Sequence, residues 1–415
     1  MTSPFFSRGL ILLVGLCCLL PTTKTKYEKL YEDSSIDPFQ CRKVALTVCN
    51  ISITLFREMA RLSANGNILF SPIRVIAAIS MLSLGANGNL SKHILESLRF
   101  NKTGLPEAEI HKCFRYLLRP IHYSEEPSSL KSRSSVFIHQ GLTSVDKFVK
   151  GVKDLYHSDI ISINFTDSSR AKTQINNYVM EKSKGEIANM VKNMESDTFL
   201  AVVNYIIWNA KIFNNSGCRS VKMKDYHLGH GMTIKVPMIH TVGMNYLFRV
   251  EDLSSMVLSF TLLDVNITTY FILPDIGKMQ KVEKSLTYPH FRRMRRQLSL
   301  SQMSDLDTPE LSLSETHDLE SVMSLLGITY VFNNDANSSV AMNDTVWKSF
   351  KVVSKAVLTM DEKGSRLGTN SCFKNDGSVD VTRVQFNRPF LIFIQDQTND
   401  APLFLGRVVN PKNYP

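Results

Sequence analysis

VVSKAVLTMDEKGSRLGTNSCFKNDGSVDVTRVQFNRPFLIFI, residues 352–394, carries the clearest architectural signal in the chain. Val352 to Thr359 and the apolar run from Val384 to Ile394 read as strands, rich in β-branched and aromatic side chains. The residues between them hold few apolar groups. A connection of that length in a compact domain is a functional loop or a disordered one. Met360-Asp361-Glu362-Lys363-Gly364 precedes it and Phe386-Asn387-Arg388-Pro389-Phe390 follows it.

Upstream of this stretch strands dominate back to Phe199, at Leu200–Ile207, Ile234–Ile239, Met256–Leu263 and Thr268–Leu273. Helical patterns interrupt them at Met279–Leu286, Phe291–Ser299 and His317–Leu325. The N-terminal half is mostly helical. Val44, Val48, Ile51, Leu55 and Met59 recur at helical spacing through residues 38–62. Asn67–Phe70 reads as a short strand, then Ser71 and Pro72 form an N-cap and first-turn pair. That helix turns Val75, Ile76, Ile79 and Leu82 inward and stops at Gly85–Gly88, and residues 107–119 and 171–183 give two more helices. Helices first and strands later, without β–α alternation, predict an α+β fold. No linker or repeat divides the chain, so one domain over residues 26–415 is expected.

The first residues, MTSPFFSRGLILLVGLCCLLPTTKTK, place Arg8 before an apolar run too short to span a bilayer. They read as a secretory signal peptide over residues 1–25, cleaved between 20 and 26. No later run reaches transmembrane length. N-glycosylation sequons begin at Asn50, Asn89, Asn101, Asn164, Asn214, Asn266, Asn337 and Asn343, which fits secretion. After the leader, Cys41, Cys49, Cys113, Cys218 and Cys372 remain, an odd number without metal spacing. Cys41 and Cys49 stand too far apart along one helix to join. The reading is a glycosylated chain that is not stapled by disulfides. A net charge of +10 favours acidic partners.

Motifs along nearly the whole chain resemble the serpin family. They include NILFSPIRVIAAISMLSLGA from Asn67, Ser144–Phe148, Leu155–Ser158, Gln174–Val179, Val203–Ile206, Lys235–Met238, MDEKG, FNRPF and PLFLGRVVNP from Pro402. The antitrypsin-like secreted branch is the most similar. The resemblance implies a large central antiparallel sheet, two smaller sheets, about nine helices and an exposed reactive-centre loop at about residues 365–382. It further implies a suicide inhibitor of serine proteases, not an enzyme, whose cleaved loop inserts into the central sheet as a new strand. Ungapped alignment of the loop puts the scissile bond at Ser378-Val379.

Residue by residue, the loop departs from inhibitory members. They follow the hinge Gly364 with small residues, whereas this chain has Ser365-Arg366-Leu367-Gly368-Thr369-Asn370. Alternation puts Ser365, Leu367 and Thr369 on one face, so the pattern permits a strand. Leu367 overpacks a position the family fills with Ala, at about 1–3 kcal/mol. Gly368 and Asn370 are poor strand formers. In the shutter beneath the sheet the chain keeps Ser71 and Asn204. Arg74 and Ser354 stand where a second Ser and a His are usual. Each 1.4 kcal/mol on the insertion barrier slows it about tenfold. The expectation is therefore weak or absent suicide inhibition and an extracellular binding role. The alternatives are an active inhibitor by loop insertion and a carrier of hydrophobic ligands.

Arg292, Arg293, Arg295 and Arg296 fall within about 160° of a helix circumference. Such a cationic face suits sulfate oxygens, and several antitrypsin-like serpins bind heparin through the corresponding helix. Heparin or heparan sulfate is thus a candidate partner, beside an extracellular serine protease. His111, Lys112, Arg115 and Arg119 form a weaker stripe, read as ordinary surface. No phosphate-binding, dinucleotide, GxSxG or HExxH motif occurs. No cofactor, metal or nucleic-acid partner is expected, and the chain should be a monomer.

Overall fold

A computed structural model describes residues 36–63, 65–86, 88–122, 130–141, 146–211, 218–229, 231–262, 266–297, 302–328, 341–342, 345–346, 350–361 and 381–412. The expected leader, the hinge Gly364–Asn370, the Ser378-Val379 bond, Cys372, Asn214, Asn337 and Asn343 lie outside these residues.

Helix α1 (Pro38–Leu62) leads to strand β1 (Ile68–Phe70), then α2 (Pro72–Ser83), α3 (Gly88–Ser97) and α4 (Glu107–His122). Next come β2 (Leu130–His139), α5 (Asp146–Tyr156), β3 (Asp159–Ile163), α6 (Ser168–Lys182) and β4 (Leu200–Lys211). The strands β5 (Cys218–Gly229), β6 (Met232–Val250), β7 (Ser255–Leu262) and β8 (Ile267–Pro274) precede helices α7 (Met279–Ser285) and α8 (Tyr288–Arg296). β9 (Gln302–Pro309), β10 (Leu311–Asp318) and α9 (Leu319–Leu325) follow, with a small pair β11 (Ala341–Met342) and β12 (Thr345–Val346). The chain closes with β13 (Phe350–Asp361), β14 (Thr382–Gln385), β15 (Phe390–Asp396) and β16 (Pro402–Val408). Nine α-helices thus occur among the described residues, as expected.

The strands form a nine-stranded sheet (β1-β16-β15-β8-β7-β6-β9-β14, with β5 on β6), a five-stranded sheet (β10-β13-β4-β2-β3) and the β11–β12 pair. The two smaller sheets expected beside a central one are not separate. β6 merges them: its first part pairs with β5 and β9, and Tyr246–Val250 pairs with β7. The five-stranded sheet is mixed and not antiparallel throughout, because β13–β4 and β2–β3 run parallel. A second correction concerns His317. It lies in β10, one residue before that strand ends, instead of opening a helix, because Asp318 is the N-cap, its carboxylate accepts from Glu320 N, and α9 starts at Leu319, two residues later than expected.

Continuous apolar runs lie where strands are covered on both faces. All residues of β8, β15 and β16 are buried. In β16, Gly406 permits the close approach of β1, since a Cβ there would sit 2.1 Å from the Ile68 carbonyl oxygen. The next residue, Arg407, is buried and ties three elements together. Its guanidinium donates to Glu283 Oε1 on α7 (2.7 Å) and to the Gly66 and Ser63 carbonyls after α1.

The reading of a chain without disulfide staples is overturned. Cys41 in the first turn of α1 is bonded to Cys113 in α4, across a separation of 72 residues. Packing of α1 on α4 brings the two together. Cys49 is buried as a free thiol, and burial pushes its pKa up.

Candidate functional site

The site is the seam between β4 and β13. These strands are hydrogen-bonded directly and in parallel, from Phe350↔Leu200 through Ser354↔Asn204 to Asp361↔Lys211. Each has an antiparallel neighbour on its other side, β2 on β4 and β10 on β13. After Asp361 the chain next enters a strand at Thr382, where β14 pairs with β9 of the other sheet. Residues 362–380 therefore connect the end of the seam to the nine-stranded sheet.

Beneath the seam sits a group of polar side chains from α2, β2, β4 and β13. Ser354 Oγ donates to Asn204 Oδ1 at 2.7 Å, across the register pair. α2 packs on both strands, and its first turn contributes Ser71 and Arg74, 0% and 4% exposed. Ser71 occupies the expected N-cap position with Pro72 after it, yet its hydroxyl makes no capping bond. Ser71 Oγ, Arg74 Nε, Asn204 Nδ2 and Ser134 Oγ are buried with no hydrogen-bond partner. Each such atom costs about 1–3 kcal/mol. Desolvation pulls the Arg74 guanidinium down to about 9, opposed by the nearby Tyr205. No carboxylate pairs with Arg74 among the described residues. The sequence alone did not reveal that a cation lies unpaired under the sheet.

The histidine absent from position 354 has a neighbour on the next strand. His317 on β10 stands opposite Ser354 in register. Its Nε2 donates to the Leu69 carbonyl (2.8 Å) and its ring meets Phe70 edge-on. Burial lowers its pKa. Reading His317 as a helix residue hid this contact, and its alternation with Leu313 and Leu311 was the available signal.

The arginines of α8 do not form one free cationic face. Arg293 Nη1 donates to Asp252 Oδ2 at 2.6 Å. Arg295 is half-buried, bonded to the Asp400 carboxylate and donating to the Gln397 carbonyl (3.2 Å). Asp400 also accepts from Arg42 Nε at 2.7 Å. Arg292 and Arg296 remain exposed. The weaker stripe is also altered, because His111 is buried, with Nδ1 2.6 Å from Tyr156 Oη. The described sequon residues Asn50, Asn89, Asn101, Asn164 and Asn266 are all exposed.

A model of the family described as "Serpin (serine protease inhibitor)" matches residues 47–411. The chain is a serpin. It is 79% identical to mouse "Alpha-1-antitrypsin 1-6", covering 100% of both chains. It is 37% identical to rat "Alpha-1-antiproteinase", covering 99% of each. Among solved structures, human kallistatin superimposes with a TM-score of 0.79 at 27% identity, over 90% of this chain and 100% of that one. Human thyroxine-binding globulin complexed with thyroxine gives 0.79 at 28%, with the same coverage. This serpin belongs to the alpha-1-antitrypsin branch, is secreted, is not an enzyme, and has serine proteases as its class of partner.

The mouse relative overturns the expectation that hinge and shutter departures leave suicide inhibition weak or absent. At 79% identity end to end, it bears the name of an antitrypsin. The buried polar groups bear on the closed state of the seam. Partnerless atoms of Ser71, Arg74 and Asn204 raise the free energy of the closed seam, and opening it gives them water.

Proposed function

We propose that this serpin is an active inhibitor of extracellular serine proteases that inserts residues 365–377 between β4 and β13. The observation that carries the reading is the directly paired parallel seam, with the connection to β14 leaving its end at Asp361. A strand turning back from that end runs antiparallel to both neighbours. Two antiparallel ladders then replace one parallel ladder, and antiparallel pairing is slightly more stable per residue.

The target's serine hydroxyl attacks the Ser378 carbonyl, and an ester forms as the amine of Val379 leaves with a proton from the protease's histidine. Insertion must outrun attack of water on that ester. Ser378 is small, which suits the small primary pocket of an elastase-type protease better than the Asp-bearing pocket of a trypsin-type one.

Exposure of Arg292 and Arg296 supports a second, compatible role in binding heparin or heparan sulfate. Exposure of Asn89, Asn101, Asn164 and Asn266 supports their glycosylation.

The full-length secreted chain should form an SDS-stable complex with pancreatic elastase in preference to trypsin. Cleavage within the loop should raise its melting temperature. Loss of both behaviours, with clean turnover of the chain as substrate, would refute inhibition by insertion.

A further inference from the structure

We propose that a cavity between α1, the turn after α3 and the start of α8 binds a sulfate or phosphate monoester on a sugar-sized ring. The reading is independent of protease inhibition. The cavity measures about 360 Å³ and is lined by Arg57, Arg99 and Lys102, with no carboxylate among the described residues. Three cations in one concavity create a local field that selects anions, and oxyanions match the guanidinium fork in geometry.

Each cation is held or free in a way that suits this role. Arg57 projects from α1, and its Nη2 is bonded to the Leu286 carbonyl at the end of α7. Its Nε is buried with no partner, so one donor awaits an acceptor. Arg99 is exposed and held in left-handed backbone at φ 56. Lys102 N bonds back to the Arg99 carbonyl (3.2 Å), which fixes the turn bearing both side chains. Neither Arg99 nor Lys102 has a carboxylate partner among the described residues.

The neutral groups narrow the ligand. Thr54 Oγ1 donates to the Asn50 carbonyl within α1, so its proton is committed and it is left as an acceptor. Tyr288 remains a phenol, since burial chiefly pushes its pKa up to about 12. It supplies a neutral donor and a ring face, while Thr54 can accept from a ligand hydroxyl. A charged ester group with a hydroxylated ring attached satisfies both halves of the cavity. The volume fits one such unit.

Asn50 also lines the cavity and begins a sequon, so the test uses full-length secreted chain carrying Asn50→Gln. Calorimetric titration should show N-acetylglucosamine 6-sulfate or glucose 6-phosphate binding at least tenfold tighter than the unmodified sugar. The tighter of the two names the ester. Arg99→Ala/Lys102→Ala, two exposed positions, should weaken that binding at least tenfold while Arg292→Ala/Arg296→Ala leaves it unchanged. Equal binding of charged and neutral sugars overturns the site. So does a loss caused by the α8 pair and not by Arg99 and Lys102.

Discussion

Arg74 concentrates the tension in this molecule. A guanidinium without a carboxylate partner among the described residues, 4% exposed beneath the β4–β13 seam, opposes the closed sheet it supports. Arg74→Met keeps most of the volume and removes the charge. It should stabilise the uncleaved protein by about 1–3 kcal/mol in urea denaturation. The same change should slow complex formation with the target protease, about tenfold per 1.4 kcal/mol, because the stabilised state must open. Unchanged stability would mean that the charge already has a partner. Asp396 gives a second residue-scale test. Burial raises its carboxyl to about 6, with Asp400 adding a like charge. Below the unfolded value near 3.9 the group is protonated in both states and costs nothing. Between about 4 and 6 the folded state holds the extra proton, so stability falls as pH rises, and above 6 the penalty is complete. Asp396→Asn preserves an acceptor for Thr398 N. It should be more stable than the parent at pH 7.5 by about 2–3 kcal/mol, with most of that difference gone at pH 4.

At the scale of elements, α8 shows how one helix divides its charges. Arg295 is spent on Asp400 and Gln397, inside the fold, and Arg293 on Asp252. Arg292→Ala/Arg296→Ala should therefore lower the salt concentration at which the protein elutes from heparin. Arg293→Ala should add little, and Arg295→Ala should lower the melting temperature more than the retention. Elution unchanged by the first pair removes α8 as a glycan site. The seam is the other decisive element. Its twelve register pairs run from Leu200 to Lys211 without a strand between them, which leaves the place that an inserted loop would take.

At the scale of the whole molecule, the Cys41–Cys113 bond closes a long loop between α1 and α4. Replacing both cysteines by Ala should lower stability by about 2–4 kcal/mol. Reductant should destabilise the parent to a similar extent and leave the variant unaffected. Much of the architecture was legible beforehand. The strands flanking residues 362–380, the helix over 38–62 and the Ser71-Pro72 helix start are local patterns of spacing and backbone preference, carried by neighbouring residues. The family followed from motifs spread along the chain. The contacts that give the site its character were not legible. They include the disulfide, the pairing of Arg295 with Asp400, the position of His317 beside Ser354 and the isolation of Arg74. The sequence by itself determined which segments become helix or strand and which family they build. Tertiary structure alone decided which charges are paired, which are buried and which face an open cavity. Those depend on distances between residues tens or hundreds of positions apart, and desolvation and Coulomb energies exist only once such residues meet.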